Sequence, residues 1–232
     1  MLPGDSLSPL GDSAILINLG NSIDETTNKR VLALFDQLKQ ADIKGVRDIV
    51  PSYCSLAIHY DPLVNKASSN KSAYDFYSDQ IVHILGSENE PASKSNRTVR
   101  VPVCYSTKFA LDINSIATER KISVEEIIRL HCERKYRVYM IGFLPGFAYM
   151  GEVDERITMP RLSQPRLKIE AGSVGIADKQ TGIYPVDSPG GWQIIGKTPI
   201  PIFSKYAEGP ILFHPGDEVQ FYSITEDEFE NY

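Results

Sequence analysis

The sequence predicts an α+β chain in two parts, an N-terminal αβ unit and a C-terminal β-rich unit that closes as a barrel or a sandwich. Three observations carry this. Between residues 14 and 103, apolar side chains switch between the two-residue period of strands and the i, i+3, i+4, i+7 spacing of helices. From Ser87 to Asn96 the chain is polar, contains a proline and lacks large apolar residues, which is linker composition. Beyond it, residues 142–216 hold 11 of the 16 glycines and 9 of the 15 prolines, with short apolar pieces between them, the pattern of many short strands joined by turns. The predicted domains are therefore 1–90 and 91–232.

In the first part, Ala14 to Leu19 is an apolar run of strand length. Val31, Leu34, Phe35 and Leu38 mark a helix over Asp24–Ala41. Val46 to Val50 reads as a strand ended by Pro51, and Leu56, Ile58 and Tyr60 alternate in another, stopped by Asp61-Pro62. Tyr74, Tyr77, Ile81, Ile84 and Leu85 return to helical spacing, and Val99–Val103 is a last strand. The order βαββαβ is the split-βαβ, ferredoxin-like arrangement. The alternative is a unit that closes without its last strand and leaves it to the second part.

In the second part, Ser123 and Glu126 fit a capping box ahead of the apolar face of Ile127, Ile128 and Leu130. Strands are expected at 137–141, 172–176, 192–195 and 218–221. Asp187-Ser188-Pro189-Gly190 reads as a tight turn.

Hydrophobic content of 42% and charged content of 23% suit a globular chain that buries a core without staples. A net charge of -6 argues against nucleic-acid and anionic-membrane partners, which require basic surfaces. Cys54, Cys104 and Cys132 are an odd set with no CxxC pair, pointing to a reducing cytoplasm. The start lacks the basic and apolar regions of a signal peptide, and no apolar stretch is long enough to span a bilayer. The four histidines are scattered without i, i+3 or i, i+4 pairs, so no metal site is expected.

Gly191 to Thr198 satisfies the Walker A letters GxxxxGK[ST]. That motif requires a helix directly after the loop, whereas Pro199 and Pro201 oppose one. The expected structure is a strand with a glycine turn, leaving Lys197 as a point charge for an anion. His131 ends the capped helix. It reads either as a cation at a helix C-terminus or as a general base. Arg161 and Arg166 each follow a proline, which stiffens the presentation of a guanidinium fork suited to carboxylate or phosphate. They read as substrate clamps or as solvated surface charges. Phe147 and Tyr149 belong to a Gly- and aromatic-rich segment fit for a pocket wall. Gln180, Tyr184, Ser188 and Trp192 bring donors, acceptors and the sole tryptophan into 13 residues.

Gly142-Phe143-x-Pro145-Gly146-Phe147-x-Tyr149, Ala171 to Ala177, Gln180 to Pro185 and Ser188 to Trp192, with Gly11 to Ala14 and Val101 to Tyr105, resemble the family of 5-oxoprolinase B subunits over nearly the whole chain. The family also goes by allophanate hydrolase subunit 1 and includes a sporulation-kinase inhibitor. The resemblance implies a cyclophilin-like C-terminal barrel. It implies a complex with the larger C subunit and the A subunit of 5-oxoprolinase, which opens 5-oxoproline to glutamate with ATP and Mg2+, neither bound tightly by this chain. The alternatives it implies are inhibition of a histidine kinase, or a part in a urea- or allophanate-type amidohydrolase or carboxyltransferase. On this resemblance His131, Arg161 and Arg166 are catalytic candidates. Phe147, Tyr149, Gln180, Tyr184, Ser188, Trp192 and Lys197 are the candidates for holding a small anionic substrate. Relatives usually carry Arg at the position of Lys197 and Gly-Gly at Ser106-Thr107.

Overall fold

The computed structural model describes residues 5–64, 71–86 and 97–232, so the expected linker Ser87–Asn96 lies outside the described residues. The chain divides into two units, Met1–Ser95 and Asn96–Tyr232.

The first unit runs β1 (Ser6–Pro9), β2 (Ala14–Asn18), α1 (Glu25–Gln40), β3 (Val46–Pro51), β4 (Ser55–Tyr60) and α2 (Ala73–Gly86). Asp24 caps α1 by accepting the Thr27 N–H at 2.8 Å. The sheet order is β1-β2-β4-β3, antiparallel throughout. Alternation sends Ile15, Ile17, Leu56 and Ile58 to one face, where Val31 and Leu38 of α1 and Tyr77 and Ile81 of α2 cover them. All eight are at most 1% exposed, each worth about 1.5–3 kcal/mol of burial.

The expected final strand of this sheet is not in it. Residues 98–104 form β5 of the second unit, and β1 fills the edge beside β2 instead. The chain thus follows the alternative order. The cause is pairing: residues 98–104 match β13 over seven consecutive positions, from Thr98↔Glu218 to Cys104↔Ile224. The β2 edge is already satisfied from Ser6↔Asn18 to Pro9↔Ile15, and Pro9 is tolerated there because an edge strand can spare an N–H.

The second unit continues from β5 (Thr98–Cys104) through α3 (Ile113–Arg120), α4 (Val124–Glu133), β6 (Lys135–Ile141), β7 (Ala148–Gly151), β8 (Arg166–Ile169), β9 (Ser173–Ala177), β10 (Gln180–Ile183), β11 (Ser188–Gly190), β12 (Gln193–Lys197) and β13 (Glu218–Ile224) to α5 (Glu226–Glu230). Seven strands close a barrel in the order β10-β7-β6-β13-β5-β12-β9, while β8 and β11 pair separately. Val101, Val138, Met150, Val174, Ile176 and Phe221 fill the interior, joined by Ile116, Ile127 and Leu130 from α3 and α4.

Two local expectations change. Ser188–Gly190 is a strand paired with β8, not a tight turn, because Ser188 and Gly190 find partners in Ile169 and Arg166. Ser123 accepts the Glu126 N–H at 3.2 Å, but the Glu126 carboxylate takes Arg129 and Arg156 rather than completing the capping box. The complete box is Thr225 with Glu228, starting α5.

Candidate functional site

Strand alternation builds a second apolar cluster on the opposite faces of the strands that line the barrel. Ala148 and Met150 point into the interior, whereas Phe147 and Tyr149 point the other way; Ile183 lies inside and Tyr184 outside. Phe147, Tyr184, Trp192, Ile194, Ile169 and Ala177 form this outer cluster. Phe147 meets Trp192 edge-on at 5.3 Å and Tyr184 at 5.4 Å, and Tyr149 meets Trp192 at 6.0 Å. Glycine at 182 makes room. A Cβ there would lie 2.9 Å from the Ala148 carbonyl oxygen and 3.1 Å from both the Phe147 and Trp192 rings. Gln180 sits two residues earlier on β10, so it shares the face of Gly182 and the aromatic cluster.

Arg161 stands over this cluster, its guanidinium carbon 5.9 Å from the Trp192 ring centre. Its backbone is held on both sides. The Gln193 amide donates to the Pro160 carbonyl at 3.1 Å, and the Leu162 N–H donates to the Gly191 carbonyl at 2.7 Å. Arg161 is exposed, and among the described residues no carboxylate pairs with it. Burial pushes the phenols of Tyr149 and Tyr184 up, and the Arg161 charge pulls both partly back.

The structure therefore brings Phe147, Tyr149, Tyr184, Trp192 and Arg161 together. Phe147, Tyr184 and Trp192 are only 1%, 1% and 4% exposed, so they are a floor rather than ligand-touching walls. Tyr149 is half-buried within the field of Arg161, and Gln180, also half-buried, lies on the same face of β10 as Gly182. Phe143, 67% exposed, extends the ring contacts outward by meeting Phe147 at 5.8 Å.

Other candidates are placed differently. The Arg166 fork is taken by Asp112, with contacts of 3.0 and 2.6 Å, so it is neither a free clamp nor a solvated surface charge. Lys197 pairs with Glu170 at 2.5 Å and lies 5.7 Å from the Phe109 ring centre. Its Walker letters lie in β12, where Gly196 and Lys197 pair with Val174 and Ser173 of β9 and no helix follows. With that backbone committed to strands, the segment does not fit ATP phosphates. The Ser188 hydroxyl is buried without a hydrogen-bond partner among the described residues.

His131 is neither a cation nor exposed. It is fully buried against Phe221 and Tyr136, and desolvation drops its pKa to about 3. Donor accounting fixes the tautomer. Thr181 Oγ1 donates to the Gly175 carbonyl at 3.1 Å, so His131 Nε2 must donate to Thr181 at 2.9 Å. Nδ1 then accepts from the Tyr105 hydroxyl at 2.7 Å. A neutral ring with both nitrogens committed bridges the barrel interior and has no proton to exchange with solvent.

Asp112 and Gln193 carry no motif signal. Each acts through backbone contacts with residues distant in sequence, which spacing cannot reveal. No three His, Cys, Asp or Glu side chains gather as a metal site among the described residues, and the three cysteines are free thiols. No described helix is long and apolar enough to cross a membrane.

A family model described as the carboxyltransferase domain, subdomain C and D, matches residues 6–213. The chain is 37% identical over 229 residues to the 5-oxoprolinase B subunit of Bacillus subtilis (strain 168), covering 97% of this chain and 95% of that protein. It is 31% identical to the 5-oxoprolinase B subunit of Escherichia coli O157:H7, covering 91% and 93%. Among solved structures it is similar to TTHA0988, with a TM-score of 0.79 and 33% identity over 91% of this chain; it spans 40% of that longer polypeptide. The chain belongs to the family of 5-oxoprolinase B subunits and carries the carboxyltransferase subdomains C and D.

Proposed function

We propose that this chain serves within an ATP-dependent 5-oxoprolinase complex and that the surface around Arg161 and Trp192, the Arg161 face, receives the substrate. The observation that carries the reading is Arg161 itself: exposed, braced on both sides, set over Trp192 and without a carboxylate partner among the described residues. 5-Oxoproline offers one carboxylate, a small apolar ring and a lactam. A guanidinium fork suits the carboxylate, the half-buried Tyr149 ring suits the apolar ring, and the Tyr149 hydroxyl and Gln180 amide are polar groups for the lactam. Opening adds water across the amide: the C–N bond breaks, the carbonyl carbon becomes a carboxylate, and the nitrogen leaves as the amine. This chain binds and orients the ring. The ATP chemistry, with its Mg2+, acts at the level of the complex with the A subunit and the larger C subunit, and the Walker-like segment here, being a strand, is not its site.

We read His131 and Arg166 as scaffold, and Lys197 and Ser188 as peripheral. We also read the first unit as ferredoxin-like with its fourth strand drawn from the start of the chain, and the barrel as cyclophilin-like. Three free thiols fit a reducing cytoplasm.

The test is 5-oxoproline-dependent ATP hydrolysis by the reconstituted complex. Arg161→Ala is expected to reduce it by orders of magnitude; unchanged turnover sinks the assignment.

A further inference from the structure

We propose that Asp112 is a positioning residue for the Arg161 face. The proposal rests on the reading of that face as the substrate site.

Asp112 occupies the N-cap position of α3, where an aspartate normally accepts a backbone N–H of the first helical turn. It makes no such bond. Its carboxylate instead accepts the Ile194 N–H at 2.6 Å and both arms of Arg166, and its own N–H donates to the Ile194 carbonyl at 2.8 Å. One residue thus satisfies both backbone groups of Ile194.

The need for this lies in the barrel. β12 pairs with β5 only at Lys197↔Cys104, so its earlier residues lack a strand on that side, and its register with β9 shifts between Ile194 and Gly196. Asp112 stands in for the missing neighbour. The stretch it fixes is the one that places Arg161 against Trp192. Trp192 lies two residues before Ile194, Gln193 holds the Pro160 carbonyl, and Gly191 holds the Leu162 N–H on either side of Arg161. Through Arg166 the same carboxylate anchors β8, which pairs with β11 and brings Ile169 onto the aromatic cluster. Asp112 is 6% exposed, so water does not substitute for these contacts. The chain of contacts runs from Asp112 through β12 to the relative placement of Arg161 and Trp192.

The experiment uses the reconstituted complex with Asp112→Asn, Arg166→Lys and Arg161→Ala. Trp192 is the sole tryptophan, so the emission of this polypeptide by itself reports the surroundings of Arg161. Asp112→Asn is expected to raise the KM for 5-oxoproline at least tenfold, leave the KM for ATP unchanged and red-shift Trp192 emission. Arg166→Lys, which keeps the charge but loses the fork, is expected to do the same to a smaller degree. It carries the test if Asp112→Asn does not fold. A lower melting temperature or kcat with unchanged KM and emission means Asp112 is merely structural and overturns the proposal. If Arg161→Ala also leaves the KM unchanged, the reading of Arg161 as substrate site fails; if it raises the KM while Asp112→Asn and Arg166→Lys do not, only the positioning role fails.

Discussion

The guanidinium of Arg161 rests 5.9 Å from the centre of the Trp192 ring, braced by hydrogen bonds to the residues on either side of it. This juxtaposition makes a tryptophan signal responsive to an anion. Adding 5-oxoproline to the wild-type complex is expected to change Trp192 emission saturably when the partner polypeptides lack tryptophan or have it replaced. Arg161→Ala should abolish the response, and Arg161→Lys should weaken it because a point charge lacks the fork.

The buried His131 sets a pH dependence for the barrel. Its folded pKa of about 3 lies below the ordinary value of 6.5. Between those values the unfolded chain binds the proton and the folded chain does not. The stability from the neutral ring is therefore fully present above pH 6.5 and is lost as pH falls toward 3, by up to roughly 1.4 kcal/mol per pH unit. Urea unfolding followed by Trp192 emission from about pH 7 to about pH 4 should show this slope. His131→Gln, which keeps a donor and an acceptor but does not titrate, should flatten it.

Gly190 packs against the Tyr184 hydroxyl, and a Cβ there would also lie 2.7 Å from Ile169 Cδ1. Both neighbours are buried, so neither can withdraw freely. Gly190→Ala is expected to cost about 1–3 kcal/mol through overpacking. Thermal unfolding should fall by several degrees, and Trp192 emission should shift with it.

Legibility in the sequence followed the range of the interactions. α1, α2, α4, β3, β4, β6 and β13 announce themselves because their apolar periods are local. α3 did not, since Ile113 and Ile116 are its only buried residues. β7, β8, β10 and β11 are three or four residues long, too short for a period to show. The fate of residues 98–104 depended on a partner about 120 residues away, which local pattern cannot choose. At the site, Arg161 and the aromatic residues were legible from composition and motif. The commitment of Arg166 to Asp112 and of Lys197 to Glu170 was not, because a fork or an ammonium reads the same in sequence whether or not a carboxylate folds against it.

Asn28 offers a test in the other unit. It is fully buried in α1, and its amide donates to the carbonyls of Ser52 and Tyr53, both at 3.2 Å. Asn28→Ala removes these bonds at a cost of about 1–3 kcal/mol. Far-UV circular dichroism in urea should show an earlier transition for the first unit, while Trp192 emission, which reports the barrel, keeps its wild-type midpoint.

The parallel seam between β5 and β13 has a consequence for synthesis. A chain emerging from the ribosome in N-to-C order completes the first unit early, because all four of its strands lie before residue 61. Residues 98–104 then wait, paired only at Cys104 with Lys197 of β12, until 218–224 are made. The barrel locks only once residues 218–224 are made, so a nascent chain stalled before residue 218 holds one mature unit and one open sheet. Pulse proteolysis of stalled chains would see the protected fragment grow in two steps.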